Sequence, residues 1–291
     1  MLGVLGDLVE DIVVWAEGPL RHGTDSGARV FRRRGGSAAN VARFAAGRYP
    51  ARFLGCVGED AVGDGVVAEL TGHGVDVRVS RRGRTGSVVV LIDPDGERTM
   101  LPDRGAATLL ERVPDAWLTG LTHLHVPAYS FDGEPVGSTA VDALARVRRG
   151  GTTSVDASST GMLERFGRER FLALLAGLAP TFVFANRSES EFLGLLVGGL
   201  PGPERARLAA TTVVTKAGAE PTAVDVPGEP LVMVPVPPVA EVRDLTGAGD
   251  AFAAGFLAGF LDTGDLGRAA GLGHRSAARV LASPGASCGG E

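Results

Sequence analysis

The 291-residue chain is 44% hydrophobic, with a formal net charge of −5 and a sequence pI near 5.6. That length suits one large domain with a sizeable core, and the acidic balance argues against a nucleic-acid partner held through its phosphates. Nearly every cation is arginine, Lys216 being the only lysine, and the two cysteines, Cys56 and Cys288, are too far apart for a metal-ligand spacing. The early acids Asp7, Glu10 and Asp11 leave no room for a secretory leader. No apolar run reaches the length of a membrane span, so a cytoplasmic protein without a membrane partner is expected.

In chain order, "MLGVLGDLVEDIVVW" reads as a strand punctuated by Gly6 and Asp7. A short strand over 28–34 leads into "GGSAANVARFAA", where small residues open a helix. "RFLGCVGED" reads as strand and turn, and "DGVVAELTGHGV" as helix and turn. "GSVVVLIDPDGERTML" reads as a hairpin around Pro94-Asp95-Gly96.

The rhythm then changes. "THLHVPAYS", "GTTSVDAS", "PTFVFANRS", "TTVVTKAG" and "PLVMVPVP" are strand candidates, with helical runs such as "GSTAVDALARVRRG" and "RERFLALLAGLA" between the first four. Two helices, "GDAFAAGFLAGFLDTG" and "LGRAAGLGHRSAARVLA", come last. Such alternation predicts a doubly wound α/β body whose mostly parallel sheet is covered on both faces. A small β-sheet lid is expected from segments near 11–16, 28–34 and 86–102, the whole of 1–291 forming one domain.

Familiar nucleotide motifs are absent. No G-x-x-x-x-G-K-[ST] occurs, no convincing G-x-G-x-x-G follows the first strand, and protein-kinase signatures are missing. The informative stretch is "DLTGAGDAFAAGF", 244–256. Gly247, Ala248 and Gly249 place successive amides at a helix start, where the backbone and the dipole favour an anion. Asp250 stands beside them, expected to be ionised and able to take a proton from a hydroxyl. Alone, the motif suits an ordinary helix entry capped by Asp250 equally well.

It has company. "GGSAANVA", 35–42, together with "RDLTGAGDAF", resembles the two signatures of the ribokinase-like (PfkB) family of carbohydrate kinases. "GDLVEDIVV", "GCVGEDAVGD", "DPDGERTM", "NRSESE" and "VVTKAGAE" follow the family pattern in order, over nearly the whole chain.

The resemblance implies an ATP-dependent kinase with a carbohydrate as small-molecule substrate. Gly247, Ala248 and Gly249 would form the anion hole and Asp250 would be the base. Asp11, Gly36 and Asn40 would bind substrate hydroxyls. Asn186, Thr215 and Gly218 would lie along the nucleotide, with Glu189 supporting Mg2+ through water. The spacing of Asn186 and Glu189 equally fits a helix capping box. Asp244 and Thr246 match a monovalent-cation (K+) site that carbonyls around Ser283 and Gly285 would complete.

Lys216 ends a strand and is placed at the edge of the nucleotide site, with little weight. Arg98 and Arg104 are candidates to close over the ligands, and His123-x-His125 reads as packing. Ser37-Ala38-Ala39, Pro221 and the absence of a glutamate in "HLHVPAY" depart from ribokinases and put ribose in doubt. A nucleoside kinase and a silent sugar sensor remain alternatives, and a homodimer through the lid is expected.

Overall fold

The computed structural model describes residues 1–239 and 241–282. The chain runs β1 (Leu2–Leu5), β2 (Val9–Ala16), β3 (Ala28–Gly35), α1 (Ser37–Ala46), β4 (Ala51–Val57), α2 (Ala61–Gly72), β5 (Asp76–Arg81), β6 (Thr85–Ile92) and β7 (Arg98–Gly105). After the short α3 (Asp115–Leu118) come β8 (His123–Pro127), α4 (Val136–Arg148), β9 (Thr152–Asp156), α5 (Thr160–Phe166), α6 (Arg168–Leu178), β10 (Phe182–Asn186) and α7 (Arg187–Leu193). A two-strand hairpin, β11 (Leu196–Val197) and β12 (Leu200–Pro201), precedes β13 (Thr212–Ala217), β14 (Glu220–Asp225) and β15 (Val232–Val234). Helices α8 (Ala248–Thr263) and α9 (Leu266–Leu281) close the described chain.

Among the described residues, nine strands form one sheet in the order β15-β14-β13-β10-β9-β8-β1-β4-β5. The pairings from β13 to β5 are parallel, and the β13-β14-β15 end is antiparallel. This is a ribokinase-like α/β body, doubly wound and mostly parallel. The chain leaves β1 towards β4 on one side and returns to β8 on the other, so strand order reverses there, where open α/β sheets bind ligands at their carboxyl ends.

Two cores lie against the sheet. One gathers Leu124, Val126, Leu144, Phe171 and Leu172; the other gathers Val4, Phe53, Phe182, Phe184 and Phe256. Phe182 and Phe184 of β10 meet Phe256 of α8 edge-on, with centroids 5.3 and 5.2 Å away. Such pairs add about 0.5–1.5 kcal/mol each beyond area burial. They fix α8, and with it Asp250, against the sheet.

A separate sheet orders β3-β2-β6-β7. Its β6-β7 hairpin is the one expected around Pro94-Asp95-Gly96, and the Asp93 carboxylate accepts from the amides of Asp95 and Glu97.

The opening run, read as one strand, is two strands in different sheets. The chain changes sheets between β1 and β2, and a Cβ at Gly6 would crowd the Ser130 hydroxyl and Ala38. Two strands of the large sheet escaped the sequence reading. β5 mixes Arg and Asp into "DVRVSR" at the sheet edge, and β14 begins "EP", a poor strand opening. The β11-β12 hairpin turns at Gly198-Gly199 and is followed by a 3-10 turn over Pro203–Leu208. His123 and His125 are fully buried, and both share the Ser154 hydroxyl at 2.7 Å, as packing residues would. Cys56 is a buried free thiol, and Cys288 lies outside the described residues.

Candidate active site

The chemistry-bearing residues gather at the carboxyl ends of the parallel strands. Asp7 follows β1, Tyr129 follows β8, and Asp156, Asn186 and Lys216 lie at or next to the ends of β9, β10 and β13. The small sheet contributes Asp11 from β2 and Arg98 and Arg104 from β7. Helices α1 and α8 supply the rest.

The start of α1 depends on two glycines. Gly36, its N-cap, has φ of 101°, a conformation side chains rarely tolerate. A Cβ there would overlap the Asp7 carbonyl, and one on Gly35 would overlap the Asp11 carboxylate. The pair therefore lets α1 begin against both the chain that follows β1 and the small sheet.

From this start, Ser37 Oγ donates to Asp250 Oδ1 at 2.7 Å and Asn40 Nδ2 donates to Asp250 Oδ2 at 2.9 Å. The Asn40 amide is oriented in turn by Arg34 Nη1, which donates to its Oδ1 at 3.1 Å. Arg34 also faces Glu69 at 3.4 Å. Neither Ser37 nor Arg34 stood out in the sequence; both are legible only once Asp250 is placed against α1.

Helix α8 begins at the left-handed Gly247, φ 78°, and Asp250 falls in its first turn with Ala248 and Gly249 before it. The expected ionised base is modified here. Burial pushes the Asp250 carboxyl from its ordinary 3.8 to about 6, against the Ser37 and Asn40 hydrogen bonds. Asp11 is also raised to about 6, by burial first, with Arg34 opposing and Asp250 reinforcing. Two carboxyls near one another thus titrate close to neutrality, the condition general-base chemistry requires.

Where β10 gives way to α7, Asn186 and Glu189 form a complete capping box. Glu189 Oε2 accepts from the Asn186 amide at 2.7 Å, and Asn186 Oδ1 accepts from the Glu189 amide at 2.9 Å. Glu189 Oε1 takes the Asn186 side-chain amide at 2.7 Å. Burial, with Asp156 nearby, raises the Glu189 carboxyl to about 7. Lys216 Nζ donates to Asp156 Oδ2 at 2.8 Å.

Thr215 is turned away from these groups: its hydroxyl is buried and bonded to Ser190 of α7 at 2.7 Å. Gly218, φ 64°, forms the open turn between β13 and β14. Among the described residues no cluster of three His, Cys, Asp or Glu side chains is arranged to hold a metal ion.

Two arginines of β7 reach from the small sheet to the body. Arg104 grips Asp7 with Nε at 2.7 Å and Nη2 at 2.9 Å, and donates to the Asp132 carbonyl. Arg98 lies 2.6 Å from Asp244 and also donates to the Thr246 hydroxyl. Asp244 Oδ1 accepts from the Thr246 amide at 2.7 Å. Ser283 and Gly285 lie outside the described residues.

A left-handed glycine at a helix start with Asp250 in the first turn, facing acids at the carboxyl ends of a parallel sheet, suits a small-molecule phosphotransferase. Residues 2–289 match the family model described as pfkB family carbohydrate kinase, and the chain belongs to that family. It is an ATP-dependent kinase. It is 33% identical over 269 residues to a fructokinase of Klebsiella pneumoniae, spanning 88% of this chain and 83% of that protein. It is 32% identical over 247 residues to the ATP-dependent ribose-1-phosphate kinase of Halopiger xanaduensis, spanning 81% and 76%. An adenosine kinase structure from Sinorhizobium meliloti superposes with a TM-score of 0.84 at 25% identity, covering 98% of this chain and 94% of that one. No described helix is long and apolar enough to cross a membrane.

Proposed function

We propose that the chain transfers the γ-phosphoryl group of ATP to an alcohol of a neutral sugar or polyol, with Asp250 as general base. The observation that carries this reading is the Asp250 carboxylate itself. Ser37 and Asn40 hold it in the first turn of α8, beside the amides of Gly247, Ala248 and Gly249. The acceptor hydroxyl gives its proton to Asp250 as its oxygen attacks phosphorus in line, and the amides take up the charge developing on the phosphoryl oxygens. Asp11, Gly36 and Asn40 orient the remaining hydroxyls, and Asn186 and Gly218 border the nucleotide, with Thr215 behind them against α7.

The acceptor side favours an uncharged substrate. Its arginines are already paired, Arg104 with Asp7 and Arg34 with Glu69 and Asn40. A sugar phosphate would have to break these pairs. A nucleoside is the second reading, favoured by Tyr129 at the rim of the site. Its hydroxyl is raised by burial and by the charges of Asp250, Asp156 and Glu189.

Magnesium fits the residues present. Glu189 supplies hard oxygen donors just past the end of β10, and both of its oxygens are engaged by Asn186. Glu189 would therefore hold the ion through water. When bound, magnesium neutralises phosphate charge. A monovalent cation at Asp244 and Thr246 would share the carboxylate with Arg98. The small sheet acts as a lid that excludes water, and its exposed Trp15, Val30, Phe31, Met100 and Leu101 suit a homodimer.

The test is ADP release from magnesium-ATP over a panel of pentoses, hexoses, sugar acids, sugar phosphates and nucleosides. Stimulation by a neutral sugar is expected. Stimulation by sugar phosphates alone refutes the neutral class, and melting-temperature shifts without turnover favour a silent sensor.

A further inference from the structure

Lys216 is the chain's only lysine, and its surroundings set it apart from a strand-end surface residue. Its side chain is 15% exposed, and its Nζ is bonded to Asp156, itself 10% exposed, at 2.8 Å. The ammonium also lies against the start of α8. A Cβ placed on Gly249 would sit 3.5 Å from Nζ, and among the described residues no other heavy atom beyond its chain neighbours and its own helix comes within 4 Å. The glycine thus leaves a short gap between the helix amides and the ammonium.

Burial works against a charged lysine, yet Asp156, Glu189 and Asp250 together hold its proton more firmly than usual. Arginines satisfy the other ion pairs around the site. Here alone stands a compact point charge with three donors, one of which is committed to Asp156. Stability does not require this arrangement, since a partly buried ion pair recovers little beyond its own desolvation.

We propose that Lys216 is a catalytic residue whose ammonium contacts the transferring phosphoryl group from the side opposite the Gly247–Gly249 amides. Asp156 is its positioning residue, aiming the ammonium at the gap beside Gly249. The proposal rests on the phosphotransfer reading above. In the step, the acceptor oxygen forms its bond to phosphorus and the bond from phosphorus to the ADP oxygen breaks. The acceptor proton goes to Asp250, and Lys216 keeps all its protons and contributes charge alone. This also explains why Thr215, its neighbour on β13, is turned inwards to Ser190: alternate residues of a strand face opposite ways, and the outward place belongs to the cation.

The test needs no acceptor. Binding of magnesium-ADP, and of magnesium-ADP with beryllium fluoride as a mimic of the bound γ-phosphoryl group, is measured by calorimetric titration. The proteins are the wild type, Lys216→Met, and Lys216→Met combined with Asp156→Asn. The wild type is expected to bind the fluoride complex more tightly than ADP. Lys216→Met is expected to lose about 10- to 100-fold of that preference while its affinity for ADP stays within about two-fold. The double variant removes the orphaned carboxylate charge and is expected to show the same selective loss with a melting temperature near that of the wild type. Equal preference for the fluoride complex in wild type and variants overturns the role of Lys216 and leaves the kinase reading standing. Equal loss of ADP and of the fluoride complex in the double variant makes Lys216 structural and overturns it as well. A wild type that binds neither nucleotide overturns the kinase reading, and the proposal with it.

Discussion

Replacing Asp250 by asparagine tests the base and its electrostatic environment together. In the folded chain the carboxyl titrates at about 6 in place of 3.8, burial being the main cause. Such a displacement corresponds to roughly 3 kcal/mol against the ionised form. Asp250 is only partly buried, so screening by solvent reduces this to about 1–2 kcal/mol. The folded value lies above the unfolded one. The penalty is therefore full above pH 6, fades as the pH falls towards 4, and is absent when the carboxyl is neutral in both states. Asparagine never incurs it, but with one acceptor oxygen it forfeits one of the bonds from Ser37 and Asn40, about 1 kcal/mol. Melting temperatures of wild type and Asp250→Asn at pH 8 and pH 5 separate the two effects. About half of the penalty remains at pH 5, so relative to the wild type the variant is expected to melt roughly 1–3 °C higher at pH 8 than it does at pH 5. With the acceptor found by the substrate panel, its kcat is expected to fall about 10²- to 10⁴-fold. A melting difference that does not change with pH, or turnover within ten-fold of the wild type, would refute the reasoning.

Four further outcomes are expected. The kcat/KM of the wild type should be level above pH 7 and fall below about 6, because Asp11 and Asp250, both raised to about 6, act as ionised groups; a profile flat to pH 5 contradicts this. Gly36→Ala forces a Cβ onto the Asp7 carbonyl at φ 101°, so unfolding titrations should show a loss of about 2–4 kcal/mol, with kcat/KM falling as Ser37 and Asn40 leave Asp250. Arg98→Met releases the Asp244 carboxylate from the lid, so potassium should stimulate this variant at least several-fold more than the wild type; equal stimulation of both removes the sharing of Asp244. Phe31 and Met100 lie in one cross-strand row with Val13 and Val90, so Phe31→Asp combined with Met100→Asp should convert a dimer seen by sedimentation into a monomer.

Much of this molecule is written locally. The β6-β7 hairpin follows from turn chemistry at Pro94-Asp95-Gly96, and α8 from small residues ahead of an apolar run. The two glycine-containing signatures name the family, and at Gly36 glycine is required because a Cβ there would overlap the Asp7 carbonyl. The opening strand was misjudged for a physical reason. Apolar composition over 1–15 is continuous, and nothing in a β-rich run tells which of two sheets each half will join. The edge strand β5 carries too many charges to read as a strand, although its register against β4 is regular over Asp76–Arg81.

The site was legible as individual residues and illegible as a set of contacts. Asp250 and Asn40 are 210 positions apart and meet at 2.9 Å; Lys216 and Asp156 are 60 apart and meet at 2.8 Å. Only the parallel order of β9, β10 and β13 brings that second pair together, because Asn186 stands opposite Lys216 and Asp156 opposite Phe184 in adjacent registers. Strands buried on both faces give no alternation to show which side chains face the ligand, so Thr215 and Lys216 look alike in the sequence until α7 is seen to take Thr215. Burial is the first cause of the raised carboxyls of Asp11, Glu189 and Asp250, and Asp156 at the end of β9 adds to it at Glu189 and Asp250. Within the chain, Lys216 opposes that rise at Glu189 and Asp250, and Arg34 opposes it at Asp11. A site so charged has reason to hold its cations, Lys216 and a nucleotide-borne metal alike, at the point where phosphate oxygens must be received.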